Sequence, residues 1–291
     1  MATEARDPRY ADIDLWPTGA AIEAMLEAQI EALAALRSQT AAIAGASEAA
    51  AERLKAGGRI VYAGAGTSGR IGVQDGVELT PTFGWPEARL LFLTAGGPTA
   101  LTKTAEGAED DMQAARDAVA AARICAEDVV IGIAASGRTP YVLAAVEAAR
   151  AAGALTIALA NNPDTPLLGL AEYPILADTG SEVIAGSTRM KAGTAQKAVL
   201  NMLSTAIMLR SGLVYDGLMV AMQVSNAKLR ARGQAMVRDI AGVSQAEANA
   251  ALDTAKGHIR EAVLIAKGVT DARGLLARHD GNLRTALDSL A

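Results

Sequence analysis

Residues 18–56 carry apolar side chains at helical spacing. Ile22, Met25, Leu26, Ile30, Leu33 and Leu36 recur at steps of three and four, which gathers them into one stripe. A second helical stretch covers Thr40–Lys55 and stops at Gly57-Gly58, residues suited to a helix C-terminus. The period then changes. Short apolar runs at Arg59–Ala63, Arg89–Thr94, Val129–Ala134 and Leu155–Ala160 show no clean alternation, and Tyr173–Ala177 is a fifth candidate. Runs of that length, rich in Ile, Val and Leu, fit strands covered on both faces, as in a parallel sheet. Ala-rich helical stretches such as Thr99–Ala121 and Pro140–Ala152 separate them. The alternation predicts an α/β fold, a doubly wound parallel five-stranded sheet with right-handed crossovers. Beyond Gly186 the pattern is helical again. Met190–Leu209 is almost wholly apolar or small and predicts a buried helix, and Ser244-Gln245-Ala246-Glu247 reads as a capping box among shorter helices. The expected division is an N-terminal helical arm over 1–53, an α/β domain over 54–217 and a C-terminal helical module over 218–291.

Composition narrows the chemistry. The 291 residues are 51% hydrophobic and 20% charged, ample for a core and too apolar for a disordered chain. Aromatic residues are 3%, so aliphatic side chains must build that core. Lysine and arginine number 27 against 32 acidic residues, a net charge of −5, and no basic block appears. Nucleic acid is therefore not an expected partner. Cys125 is the one cysteine, which excludes a disulfide framework and a thiolate metal cluster. The two histidines, His258 and His279, lie near the C-terminus, so chemistry ahead of them runs without imidazole. Carboxylates, hydroxyls, Lys and Arg remain. The opening segment Met1–Arg9 is polar without an apolar core, and no apolar run is long enough to span a membrane, so a cytoplasmic protein is expected.

Three loops carry the candidate chemistry, because ligands of open α/β sheets bind beyond the carboxyl ends of strands. The first, Gly64-Ala65-Gly66-Thr67-Ser68-Gly69-Arg70, is a G-x-G-x-x-G between a strand and a helix. A dinucleotide site would also want a carboxylate ending the next strand, and Leu93-Thr94-Ala95-Gly96-Gly97 has none. The loop then reads as a phosphate or sugar cradle built from Gly66, Thr67 and Ser68, or as a tight turn with no ligand. The second, Ser136-Gly137-Arg138-Thr139-Pro140, offers two hydroxyls and a cation at a helix start, where Pro suits the first turn. Capping by Ser136 alone would also account for it, but two such loops on one sheet favour a ligand. The third, from Glu182 to Thr194, holds Glu182, Ser187, Thr188, Arg189 and Lys191 ahead of the buried helix. Three hydroxyl-rich loops without histidine or metal ligands point to a phosphorylated sugar. Glu78 and Glu109 sit among apolar neighbours in sequence, where desolvation can tune a carboxylate for acid–base work, although spacing alone does not separate them from surface glutamates.

These loops resemble the sugar isomerase (SIS) fold. The segment Gly57–Gly84 with AEGAEDD (105–111), IAASGRTPY (133–141) and GSTRMKAGTAQKAVLNMLSTA (186–206) resembles the bacterial N-acetylmuramic acid 6-phosphate etherase family over nearly the whole chain, down to a ubiquitin-associated-like tail. The resemblance implies cleavage of the D-lactyl ether by β-elimination from the open-chain aldehyde and then addition of water, with no cofactor or metal. It implies Glu109 as the base at C2 and Glu78 as the acid at the departing lactate. It places Gly66, Thr67, Ser68, Ser136, Gly137, Arg138, Thr139, Glu182, Ser187, Thr188 and Lys191 in or beside the loops that hold a phosphorylated amino sugar. It also implies a homodimer in which the segment carrying Glu4 reaches the partner's site. The family usually reads Asp-Ala-Ser-Glu-Cys-Pro-Pro-Thr-Phe-Gly around the acid, whereas this chain has Asp75-Gly76-Val77-Glu78-Leu79-Thr80-Pro81-Thr82-Phe83-Gly84, and Asn161-Asn162-Pro163 stands where Cys-Asn-Pro is common. Two alternatives stay open. A phosphosugar aldose–ketose isomerase would share the base without the acid, and a sugar-phosphate-sensing regulator would need neither.

Overall fold

The computed structural model describes residues 1–103, 105 and 107–290. Thr104 and Glu106, which fall within the predicted Thr99–Ala121 helix, lie outside the described residues, as does Ala291. Two units result, Met1–Gly76 with Ala88–Ala206, and Val77–Glu87 with Ile207–Ala291.

In the first unit the two predicted leading helices are α1 (Thr18–Ala35) and α2 (Thr40–Leu54), joined by a 3-10 turn over Leu36–Gln39. The side of α1 that packs is its alanine side, where Ala28 and Ala32 are buried. Most of the apolar stripe faces outward, with Ile22, Leu26, Ile30 and Leu33 between 45% and 57% exposed, while Met25 is half-buried and Leu36 is buried. Five strands follow: β1 (Ile60–Gly64), β2 (Leu90–Thr94), β3 (Val129–Ala134), β4 (Leu155–Ala160) and β5 (Tyr173–Leu176). All pair in parallel, in the order β2-β1-β3-β4-β5. β1, β3 and β4 are buried along their full length, which is why they lack alternation in sequence.

The helices α3 (Gly66–Val77), α5 (Met112–Ala121), α6 (Pro140–Ala151) and α7 (Pro166–Leu170) connect the strands, while α4 (Leu79–Phe83) belongs to the second unit. They cover both sides of the sheet. Gly72 of α3 lies against Tyr62 and Ile133, whereas Gly132 of β3 opens the opposite face to Val142 and Val146 of α6. Val61, Ala63, Val130 and Ala158 share that second core with α5 and α6. The predicted Thr99–Ala121 helix is shorter than its composition suggested. Asp111 caps its start by accepting from the Ala114 N–H at 2.9 Å, and the described residues ahead of it form only 3-10 turns at Pro98–Leu101 and Ala108–Asp110.

The predicted buried helix is α8 (Lys191–Arg210). A buried carboxylate pins it to the sheet. Asp75 accepts from the Tyr62 hydroxyl at 2.7 Å, Asn201 Nδ2 at 2.6 Å and Ser204 Oγ at 3.1 Å, joining α3, β1 and α8. Burial, and then the adjacent Asp75 charge, push the Tyr62 phenol well above its usual 10, so it remains a donor.

The second unit is helical, with α9 (Ala227–Ala241), α10 (Gln245–Thr254), α11 (Ile259–Ala266), α12 (Ala272–Arg278) and α13 (Leu283–Asp288). Met236, Val237, Leu252, Val263 and Leu276 are among the side chains of its own core. The Ser244–Glu247 capping box forms as its sequence predicts, and Asn226, Asp271 and Asn282 cap three of the other helices. Among the described residues no helix is long and apolar enough to cross a membrane.

Candidate active site

The strand order turns back between β1 and β3, so the connections leaving these neighbours run to opposite faces and open a crevice at their carboxyl ends. The glycine pattern makes the first connection possible. A Cβ on Gly64 would lie 2.7 Å from Gly69 Cα, so strand and helix approach each other there without side chains between them. α3 then starts at Gly66, which brings Thr67 and Ser68 into its first turn with their backbone N–H groups unclaimed by the helix. The second connection repeats the device. Arg138 N–H donates to Ser136 Oγ at 3.2 Å, the Ser136 and Thr139 hydroxyls lie 3.4 Å apart, and α6 opens at Pro140 with Thr139 as N-cap.

Both helix starts border one cleft of about 400 Å³, lined among others by Glu4, Gly66, Thr67, Ser68, Glu109, Asp110, Ser136, Arg138, Thr139 and Thr188. Two helix N-termini, five hydroxyls and a guanidinium favour an anion with several oxygens. An adjoining chamber of about 300 Å³ is lined mainly by alanines, Ala65, Ala95, Ala100, Ala105 and Ala108, with Arg70 and Glu109. Glu109 thus stands on the wall of both spaces. The Arg70 guanidinium is engaged with backbone, donating to the carbonyls of Ala100 and Leu101.

Four of the binding candidates do not line the cleft. Gly137 is buried in the turn with φ +62°, its N–H donating to the Ala134 carbonyl. Glu182 is wholly buried and accepts from the N–H groups of Lys191 and Ala192, each at 2.9 Å. A carboxylate at a helix start is favoured both by the hydrogen bonds and by the dipole, so Glu182 fixes the beginning of α8. Lys191 is also buried, with Nζ 3.5 Å from Glu31. Ser187 sits in the turn before α8, its N–H donating to Ile184. Of the two carboxylates, Glu109 lies at the cleft and Glu78 in the second unit at the start of α4. Both are exposed, so the apolar residues flanking them in sequence do not enclose them.

Two acidic residues of the cleft wall were not placed there by the sequence. Asp110 lies beside Glu109 on the cleft wall. Glu4, expected at a partner's site, lines the cleft of its own chain, a placement that no local pattern signals.

Comparison with known proteins agrees with this geometry. Residues 42–150 match the glucokinase regulatory protein N-terminal SIS domain, and residues 108–206 match the SIS domain. Over 288 residues the chain is 46% identical to the N-acetylmuramic acid 6-phosphate etherase of Deinococcus radiodurans, covering 98% of this chain and 94% of that one. It is 44% identical over 291 residues to the same enzyme of Salmonella choleraesuis, covering 99% and 98%. A solved Bacteroides fragilis chain, 20% identical, shares the fold with a TM-score of 0.53 over 69% of this chain and 95% of that one. With this identity sustained from end to end, and with a five-stranded SIS sheet, the chain belongs to the N-acetylmuramic acid 6-phosphate etherase family.

Proposed function

We infer that this protein is a carbon–oxygen lyase that converts N-acetylmuramic acid 6-phosphate and water into N-acetylglucosamine 6-phosphate and D-lactate. The observation that carries the reading is the full-length identity to etherases of the same activity name, on a chain whose paired helix starts form an anion cleft. By contrast, the solved putative phosphosugar isomerase of Bacteroides fragilis is 20% identical and covers 69% of this chain.

In this reading the phosphate occupies the hydroxyl-rich loops, held by the α3 and α6 N-termini with Thr67, Ser68, Ser136, Thr139 and Thr188. Gly66 and Arg138 border the same cleft, while Gly137, Glu182, Ser187 and Lys191 lie outside its lining, with Glu182 holding the start of α8. Opening of the sugar ring gives an aldehyde that acidifies the C2 proton. Glu109 takes that proton, the C3–oxygen bond breaks, and the electron pair of the C2–H bond becomes the C2–C3 double bond. Glu78 gives its proton to the departing lactate oxygen. Water then adds at C3, losing a proton to Glu78, and the proton held by Glu109 returns to C2, so both carboxyls recover their starting states. Glu109 suits the base role because it stands at the junction of the cleft and the alanine-lined chamber. The acid role of Glu78 rests on the Pro81-Thr82-Phe83-Gly84 motif that follows it.

The reading extends to a homodimer in the cytoplasm. The outward stripe of Ile22, Leu26, Ile30 and Leu33 supports the dimer, since a contiguous apolar helix face gains from a partner. The phosphate dianion and lactyl carboxylate of the substrate support the compartment, since such an anion does not cross a bilayer unaided. The functional assignment is tested by purified protein with N-acetylmuramic acid 6-phosphate. Wild type releases D-lactate, and Glu109→Gln lowers the rate about 10²–10⁴-fold, the usual worth of a positioned base. Undiminished release by that variant overturns the role of Glu109.

A further inference from the structure

The N-terminal segment is fastened to the rim of the cleft by groups far away in sequence. Thr3 is wholly buried. Its N–H donates to Asn162 Oδ1 at 3.3 Å, and its hydroxyl accepts from Asn162 Nδ2 at 3.0 Å. The Thr3 carbonyl accepts from the Gly186 N–H at 2.9 Å. The same Asn162 amide donates to the carbonyl of Ala135, which itself lines the cleft. Further along, the Ser181 hydroxyl donates to Asp7 at 2.7 Å, and Asp7 is held in turn by Arg9. The segment is therefore clasped on both sides of Glu4.

Between these fastenings Glu4 turns into the cleft. Its Oε2 lies 2.9 Å from where a Cβ on Gly186 would be, so the glycine leaves room for the carboxylate. Among the described residues no protein group hydrogen-bonds that carboxylate. A carboxylate supplies acceptors only, and beside a phosphate dianion it would be repelled. Its counterpart in a ligand is a neutral donor, a hydroxyl or an amide N–H.

We propose that Glu4 is a substrate-binding residue. It is delivered to the cleft of its own chain by the Thr3–Asn162 clasp, and it accepts hydrogen bonds from the hydroxyl or acetamido N–H donors of an amino sugar whose phosphate lies at the α3 and α6 loops. The proposal rests on the phosphosugar reading of the cleft and adds to it a residue that reads the sugar rather than the phosphate.

Calorimetry with two probes separates the possibilities. N-acetylglucosamine 6-phosphate and inorganic phosphate are titrated into wild type, Glu4→Ala and Thr3→Val. Glu4→Ala weakens sugar-phosphate binding about tenfold, the worth of one hydrogen bond to a charged group, and leaves phosphate binding at the wild-type level. Thr3→Val, which keeps Glu4 and loosens its clasp, shifts the two probes in the same directions. Unchanged sugar-phosphate affinity in Glu4→Ala overturns the proposal, and so does an equal loss of both probes, which marks a damaged cleft. Because the readout is binding, a wild type that takes the sugar phosphate but releases no lactate defeats the etherase reading alone. A wild type that binds neither probe defeats both.

Discussion

Gly186 shows how one backbone position can govern a site it does not line. Its φ is +76°, a region that costs an L-residue about 1–2 kcal/mol, and a Cβ there would meet Glu4 at 2.9 Å. Gly186→Ala is expected to lower the thermal midpoint by a few degrees and to weaken sugar-phosphate binding. Differential scanning calorimetry and titration check the two effects, and a variant with wild-type values in both would contradict the placement of Glu4. At this scale the sequence speaks where the chemistry is local. Thr67, Ser68, Ser136 and Thr139 declare themselves because turn residues and helix starts are short-range features. Glu182 does not. It reads as a loop carboxylate ready for a ligand until folding brings it onto the N–H groups of Lys191 and Ala192. Glu4 is harder still, because its position depends on Thr3 and Asn162, 159 residues apart.

Among elements, the starts of β1 and β3 are tied by Asp128, which is fully buried ahead of β3. Arg59 donates to it through Nε at 3.0 Å, Nη2 at 2.6 Å and the backbone N–H at 2.8 Å. Burial opposes ionisation of Asp128, but the hydrogen bonds from Arg59 outweigh it and hold the carboxyl below the usual carboxylate range. A lowered folded-state value means that the pair stabilises the protein above the unfolded value of about 3.9 and that this stability drains away as pH falls below it. Asp128→Asn should therefore cost about 3–5 kcal/mol at pH 7, because it leaves Arg59 partly buried beside a neutral group. The difference from wild type should narrow in urea titrations near pH 3, and a pH-independent difference would contradict this account. The strands themselves were legible, since a strand buried on both faces has no choice but to be apolar. The Thr99–Ala121 helix was overextended, because alanine content signals helix whereas the Asp111 cap decides where it begins.

For the whole molecule, the outward stripe on α1 is the feature that the isolated chain leaves unexplained. Spacing marked it as a helix face without saying what covers it, and Ala28 and Ala32 turn out to occupy the inner side. If a second copy covers it, light scattering should give a dimer for wild type and a monomer for the Leu26→Glu/Ile30→Glu double variant, whereas a monomeric wild type would contradict the homodimer. The grouping of Val77–Glu87 with Ile207–Ala291 was equally invisible, because the whole of Ala88–Ala206 lies between the two segments in sequence. Family membership was legible for the opposite reason, as the long motif over 186–206 is continuous in sequence.

The central claim is elimination followed by hydration at C3. Its most direct test is to incubate the protein with N-acetylmuramic acid 6-phosphate in ¹⁸O-labelled water and to weigh both products by mass spectrometry. The account predicts D-lactate without label and N-acetylglucosamine 6-phosphate carrying one heavy oxygen at C3. Heavy oxygen in the lactate, or no lactate at all, would contradict it.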